Sequence, residues 1–307
     1  MSQEPVTATQ LRSYILDEVT KAFGFSCEGV MRRVIGTLFA IPAHRFAQLA
    51  AGVDRDATTD GVQQAAINLL NHFTESVQVI GQEHIPAAGP LLLACNHPGA
   101  FDSVAVTAFV PRRDLKIVVS GVPFLQSLPS LAPSLIYAPG DAHERMIAVR
   151  SIIRHLRDDG AVIIFATGKV DPDPAILPGA PEALQDWSPS LEIVMRRAPE
   201  TRFLPVIISG VLNPNVLRIP FVRQQDEPWK QRRLAEYFQI AGQLYFRNMF
   251  KLNPKLSFGI PVTLEEMRSA HPNGEFMPAV IAQANRLLKA HLEVDTSTKM
   301  FTGELTV

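Results

Sequence analysis

Among the side chains of this sequence, His97 and Asp102 are the best placed to do chemistry. They are an imidazole and a carboxylate separated by Pro98, Gly99, Ala100 and Phe101. Pro98 and Gly99 supply a tight turn, which can fold Asp102 back toward His97. A carboxylate beside an imidazole holds one ring tautomer. The other ring nitrogen can then take a proton from a hydroxyl as that hydroxyl attacks a carbonyl. The pair reads as a general-base dyad. From spacing alone it reads equally as a turn histidine with a satisfied ring beside a helix-capping aspartate. Asn96 has two roles open, fixing the turn or hydrogen-bonding the dyad. Cys95 and Ser103 flank the box and invite a covalent mechanism. Cys95, however, ends an apolar run, where a thiol is buried and inert, and no G-x-S-x-G elbow surrounds Ser103 or occurs elsewhere in the chain. Direct attack by an acceptor is the simpler chemistry.

Such a pair needs rigid elements on both sides. Residues 91–95 (LLLAC) form a continuous apolar run, suited to a strand buried on both faces, and 103–110 read as an apolar helix. Asp102 stands at the helix N-terminus, where free amides and the macrodipole favour a carboxylate. Strand, turn and helix together make an active-site layout. Further β-rich runs occupy 77–80, 116–120, 134–137, 161–166, 203–209 and 255–258. Between two of them the spacing predicts a helix over 142–157, with Met146, Val149, Ile153 and Leu156 on one face and Asp158, Asp159 and Gly160 ending it. That is a βαβ crossover. The expected fold class is α/β, a mixed, largely parallel sheet flanked by helices, with an N-terminal helical appendage.

The chain divides on this reading into a helical region, 1–75, and an α/β domain, 76–307. In the first region Leu11, Ile15, Val19 and Phe23 recur at helical spacing, and Val30, Met31, Val34, Ile35, Leu38 and Phe39 form a broader stripe. Pro42 is expected to kink or end that second helix. A third helix is expected after Asp60 as N-cap, with Val62, Ala66, Leu69, Leu70 and Phe73 on one side. These stripes suit packing on the following domain, or a role covering substrate or dipping into a membrane. The proline-rich stretch 171–181 reads as a loop.

Composition removes several classes of function. With 47% hydrophobic and 19% charged residues the chain is too apolar for disorder and too mixed for a polytopic membrane protein. Lys and Arg total 29 against 30 Asp and Glu, so no global charge would hold it on a nucleic acid. Cys27 and Cys95 fit no disulfide framework or zinc spacing, and no metal or redox cofactor is expected. The first residues lack the pattern of an export signal, and no apolar run reaches the ~20 residues of a membrane span. The expected setting is cytoplasmic, with membrane contact at most peripheral.

Residues 79–103, VIGQEHIPAAGPLLLACNHPGAFDS, resemble the first signature block of the glycerolipid and lysophospholipid acyltransferase family, an N-H-x4-D box after a G-x-E-x-I-P turn and a hydrophobic strand. Two more blocks follow in that family's order. Phe165, Ala166, Thr167, Gly168 and Lys169 stand at its F-P-E-G block, and Leu204, Pro205, Val206 and Ile207 at its V-P-V strand. The resemblance covers roughly residues 77–261. It implies acyl transfer from a thioester, acyl-CoA or acyl-ACP, to a hydroxyl of a glycerolipid or lysophospholipid-like acceptor, with His97 as base and Asp102 as its orienting partner. A thioesterase and a non-catalytic lipid-binding protein on the same fold are the alternatives.

The departures bear on the acceptor. At the third block the family's proline and glutamate are Ala166 and Thr167, and its arginine is Val170. The second block, Ile136 to Asp141, lacks the arginine that contacts an acceptor phosphate. Asn96, Thr167, Gly168, Lys169 and Arg145 are the candidate substrate-binding residues, with Arg150 a further substitute for the missing arginine. The Gly168 amide is a candidate donor to a phosphate or oxyanion, or else belongs to a plain turn. Residues 229–251 carry Leu234, Tyr237, Phe238, Ala241, Leu244 and Tyr245 on one side. Lys230, Arg232, Arg233, Arg247 and Lys251 lie around it, with Glu236 the opposing acid. This segment suits an anionic membrane surface or ordinary core packing. Arg196, Arg197 and Arg202 are either ligands for the phosphates of CoA or simply exposed.

Overall fold

The computed structural model describes residues 8–121, 123–138, 140–246, 248–269, 274–293 and 299–302. Four helices come first: α1 (Ala8–Ala22), α2 (Val30–Leu38), α3 (Ala40–Thr59) and α4 (Val62–Phe73). The strands that follow are β1 (Ser76–Ile80), β2 (Leu91–Cys95), β3 (Leu115–Val119), β4 (Leu135–Tyr137), β5 (Ala161–Phe165), β6 (Arg202–Ser209), β7 (Lys255–Phe258) and β8 (Lys299–Thr302). The longer helices between them are α5 (Asp102–Phe109), α6 (Ala142–Arg157), α7 (Ser190–Arg197), α8 (Pro228–Tyr245) and α9 (Phe276–Leu292).

The strands form one sheet in the order β4-β3-β5-β2-β6-β7-β1-β8. From β4 to β6 every neighbour is parallel; β7 runs antiparallel to β6, β1 parallel to β7 and β8 antiparallel to β1. The fold is therefore the expected mixed, largely parallel α/β sheet with helices on both faces and a helical N-terminal region.

Strand β2 lies at its centre, and its sequence explains why. Leu91, Leu93 and Cys95 enter a core shared with α4 and α5, while Leu92 and Ala94 enter a second core with α6, α7 and α9, and all of them are fully buried. Each buried leucine contributes ~2 kcal/mol, so a strand apolar on both faces is driven to the middle. The chain leaves β2 toward β3 on one side and leaves β5 toward β6 on the other. The crevice at the carboxyl ends of β2 and β5 is thus a topological switch point, where open α/β sheets bind ligands.

Helix α4 shares the sheet's own core through Ile67, Leu70 and Phe73. The division near residue 75 marks a change of secondary structure within that continuous packing. Several local expectations need correction. Pro42 does not end a helix: α2 stops at Leu38, and Pro42 sits in the first turn of α3, where its missing N–H has no partner to lose. Asp60 is the C-cap of α3, and Gly61, at φ 89°, turns the chain into α4. On α6 the buried stripe is Ala148, Ile152 and Leu156, and Met146 is exposed. The segment expected as a helix over 229–251 ends at Tyr245, after which Phe246 is extended and Lys251 hydrogen-bonds the carbonyls of His72 and Thr74. Leu234, Ala241 and Leu244 of α8 are buried, which is the core-packed reading of that stripe. Arg247 and Pro139 lie outside the described residues.

Candidate active site

The site grows from the end of β2. Cys95 pairs in register with Phe165 of β5 and Val206 of β6, so the loops after these strands emerge at one edge. Asn96 closes the strand end: its Nδ2 donates to the Ile208 carbonyl at 2.9 Å and its Oδ1 accepts from the Ile208 amide at 2.8 Å. Both halves of this buried amide are consumed in clamping β2 to β6. It holds the turn, one of the two roles open to it. The next residue is held from the other side. The His97 amide donates to Asp171 Oδ2 at 2.8 Å, and the Asp171 amide donates to the His97 carbonyl at 2.7 Å.

The turn then brings the dyad together. Asp102, the first residue of α5, is 1% exposed at its side chain, and its Oδ2 lies 2.6 Å from His97 Nδ1. The same carboxylate accepts from the amides of Gly99, at 3.3 Å, and Ser103, at 2.5 Å. An acceptor-only carboxylate at this distance places the ring proton on Nδ1 and leaves Nε2 as the basic nitrogen. Nε2 has no hydrogen-bond partner among the described residues, and 28% of the His97 side chain is exposed. The ring packs on Phe165 with centroids 4.6 Å apart, and Phe101 of the turn packs on Phe73 of α4 at 4.4 Å. The Phe165 contact and the Asp102 hydrogen bond together hold the imidazole in its orientation.

Electrostatics separate this histidine from an ordinary one. Burial pulls its pKa down, but the charge and hydrogen bond of Asp102, followed by the charges of Glu236 and Asp171, raise it to about 9. Glu236 comes from α8. Burial pushes its carboxyl up to about 8, against the pull of His97, and its Oε1 is buried with no hydrogen-bond partner. Asp171 is likewise raised, chiefly by burial. One turn before Glu236, Arg232 donates from Nη2 to the Val170 carbonyl at 3.2 Å, and burial lowers its pKa. The next carboxylate along the proline-rich loop, Asp173, accepts from the amides of Ala175, Gly210, Val211 and Leu212, which ties that loop to the end of β6.

Asp171, Glu236 and Arg232 are the neighbours that reading the dyad missed. The available signals were slight: two aspartates in a loop of prolines, and one acid on an otherwise basic helix. Other predicted residues lie elsewhere. Lys169 is 63% exposed and pairs with Asp186 at 2.6 Å. Thr167 Oγ1 donates to the Lys169 carbonyl. The Gly168 amide donates to the Phe165 carbonyl at 3.0 Å, so it is not free for an oxyanion. Its φ of 67°, with open space where a Cβ would stand, makes it a turn glycine. Arg145 and Arg150 are exposed on α6, and Arg145 makes no side-chain hydrogen bond or ion pair among the described residues. Asp141, at the second block, caps α6 by accepting from the amides of His143 and Glu144. Arg196 pairs with Glu192 at 2.6 Å. Cys95 is fully buried, and burial raises its thiol well above the ordinary range.

Cavities of about 630 and 640 Å³ lie against α3 and α4, lined by neither His97 nor Asp102; at the dyad, part of the His97 side chain is exposed and Asp102 is buried. No helix among the described residues is long and apolar enough to cross a membrane. The chain is similar to the crystal structure of the 1-acyl-sn-glycerophosphate (LPA) acyltransferase, PlsC, from Thermotoga maritima, with a TM-score of 0.45 and 14% identity over 92% of this chain and 96% of that one. No curated protein matches the chain. Residues 76–209 match the family model described as Acyltransferase, and this span holds the dyad, its strand and the signature blocks. Over residues 76–209 the α/β core of this chain is thus similar to the Acyltransferase family.

Proposed function

We propose that the protein is an O-acyltransferase that moves a fatty acyl group from an acyl thioester, acyl-CoA or acyl-ACP, to a hydroxyl of a glycerolipid or lysophospholipid-like acceptor. The observation that carries this reading is the 2.6 Å contact from His97 Nδ1 to Asp102, which leaves Nε2 unpartnered at the exposed edge of the sheet. Nε2 takes the acceptor's hydroxyl proton as its oxygen attacks the thioester carbonyl. Asp102 stabilises the imidazolium that forms. The tetrahedral intermediate expels the thiolate, which takes the proton back from Nε2. One C–O bond replaces one C–S bond, and ester and thiol leave. The proton transfer is done by protein side chains, so the step as proposed uses no metal or redox cofactor.

Because His97 is raised to about 9, the neutral base becomes available as pH rises through that value, and activity is expected to climb with it. Lys169 is paired with Asp186 and Arg145 is exposed on α6, so a further cation for an acceptor phosphate is worth naming. Arg232, beside the dyad on α8, is the candidate. Membrane contact, proposed at the cytoplasmic face, is best supported at α2. This helix exposes Val30, Met31, Val34 and Leu38, followed by the exposed Ile41, with Arg33 for anionic headgroups. A panel of acyl thioesters and hydroxyl acceptors, read by product mass and thiol release, tests the reaction. Ester formation that depends on the acceptor and on His97 supports it. Thiol release unaffected by any alcohol means hydrolysis instead, and stoichiometric bound lipid without turnover means a binding protein.

A further inference from the structure

The dyad turn is gripped from a side that the acyl-transfer chemistry does not use. Gly99, at its apex, lies against α8: a Cβ there would stand 3.1 Å from Glu236 Oε1 and 3.3 Å from Val211. A side chain at this point would press on the Glu236 carboxyl and require it to give by a few tenths of an ångström. That oxygen is buried and receives no hydrogen bond, an arrangement that costs stability and calls for an explanation. Glutamine would fill the same volume without a charge to bury. Leucine at this helical position would extend the apolar stripe of α8. A carboxyl group kept here at a cost in stability points to its charge as the useful property.

We propose that Glu236 is a positioning residue of this centre, braced against Gly99 and holding a second negative charge toward His97, so that it controls when the imidazole carries a proton. The groups facing His97 are Asp102 from α5, Asp171 from the loop after β5, and Glu236 from α8, with the apolar ring of Phe165 beneath. Those facing Glu236 are His97, Asp102, Arg233 and Arg232. Asp102 is committed by three hydrogen bonds; Asp171 gives Oδ2 to the His97 amide and keeps a buried, unpartnered Oδ1, so Asp171 and Glu236 are the two carboxyls able to gain or lose a proton in step with the ring, and Glu236 is the one that stands against the turn at Gly99. Its titration, displaced upward by burial, falls close to that of His97, so the two behave as a coupled pair. An acceptor or acyl chain that covers the exposed part of His97 would change the balance of protons between the ring and Glu236 at the moment of binding. The purpose assigned here rests on the acyl-transfer reading; the measurement does not.

The test is an NMR titration of the His97 imidazole from about pH 5 to about pH 10, assigned by loss of the signal in His97→Ala. Glu236→Gln keeps the contact with Gly99 and removes the charge, and its His97 midpoint is expected to fall by about 1 unit or more. Glu236→Asp keeps the charge and withdraws the contact, and its midpoint is expected to stay nearer that of the wild type. An unchanged midpoint in Glu236→Gln overturns the proposal. Amide dispersion reports whether each variant is folded. Should neither fold, the Glu236 carboxyl carbon of the unmutated protein decides: titration near His97 supports coupling, and titration in the ordinary carboxylate range overturns it. If acyl transfer is observed, the acid limb of its pH profile should move down with Glu236→Gln, a change that a packing role would not produce. A shifted midpoint with no turnover on any thioester would refute the acyltransferase function and leave this electrostatic control standing.

Discussion

Two histidines of this protein, one half-buried and one fully buried, have been driven in opposite directions. His291, on α9, is 2% exposed and uses both ring nitrogens, Nε2 with Ser209 Oγ and Nδ1 with Ser257 Oγ, each at 2.8 Å. Burial, helped by the Lys255 ammonium, depresses it to about 3. His97 also loses solvent, yet the carboxylates around it raise it to about 9. The same side chain becomes a permanently neutral strut in one place and a group able to cycle a proton in the other. Desolvation alone makes a histidine inert; reactivity requires a fixed negative partner and one nitrogen left open.

The comparison can be broken most severely at His97. His97→Ala is expected to lose at least ~100-fold in thioester turnover with the circular dichroism spectrum and thermal midpoint retained. Turnover equal to wild type would put the chemistry elsewhere. The opposite shift at His291 should appear in stability. Its folded-state pKa lies below the unfolded value, so the unfolded chain binds the extra proton between those values and stability falls as pH falls through the unfolded pKa. This contributes a loss of about 2 kcal/mol between about pH 6.5 and about pH 5, measurable by denaturant unfolding, and His291→Gln should flatten that slope. A slope the same in both proteins would mean that His291 takes its proton in the folded state.

Smaller effects sharpen the contrast between residues that build the site and those that merely sit near it. Asn96→Ala removes both bonds to Ile208 and is expected to cost about 1–2 kcal/mol in unfolding free energy, with turnover per folded molecule reduced as β2 and β6 loosen. Stability equal to wild type would show that the β2–β6 clamp is dispensable. Least of all, Lys169→Ala should change stability by no more than about 0.5 kcal/mol and leave the acceptor KM unaltered, because its exposed pair with Asp186 is screened by solvent. A raised acceptor KM would return Lys169 to the binding site.

Much of this architecture was legible locally. Strands β2 and β5 are unbroken apolar runs, and α6 is closed by Asp158, Asp159 and Gly160, so each could be placed from its own residues. Strand β8, Lys299–Thr302, was not, since a short edge strand is defined by its pairing with β1 on the far side of the sequence. Helix α3 escaped for a different reason: its alanine-rich face packs closely but shows no strong stripe. Around the site, the dyad was readable because its members share one turn. Asp171 was not, because its bond to His97 spans 74 residues.

The order of residues therefore determined which groups can react and the strand, turn and helix that carry them, since period, capping and turn chemistry act over a few positions. Tertiary structure alone decided what surrounds the imidazole. Asn96 went to the β6 backbone, Lys169 to Asp186 and the Gly168 amide to a carbonyl, while Asp171 and Glu236 arrived from distant segments. Burial and through-space charge depend on where the whole chain packs, and these two quantities set apart His97 from His291.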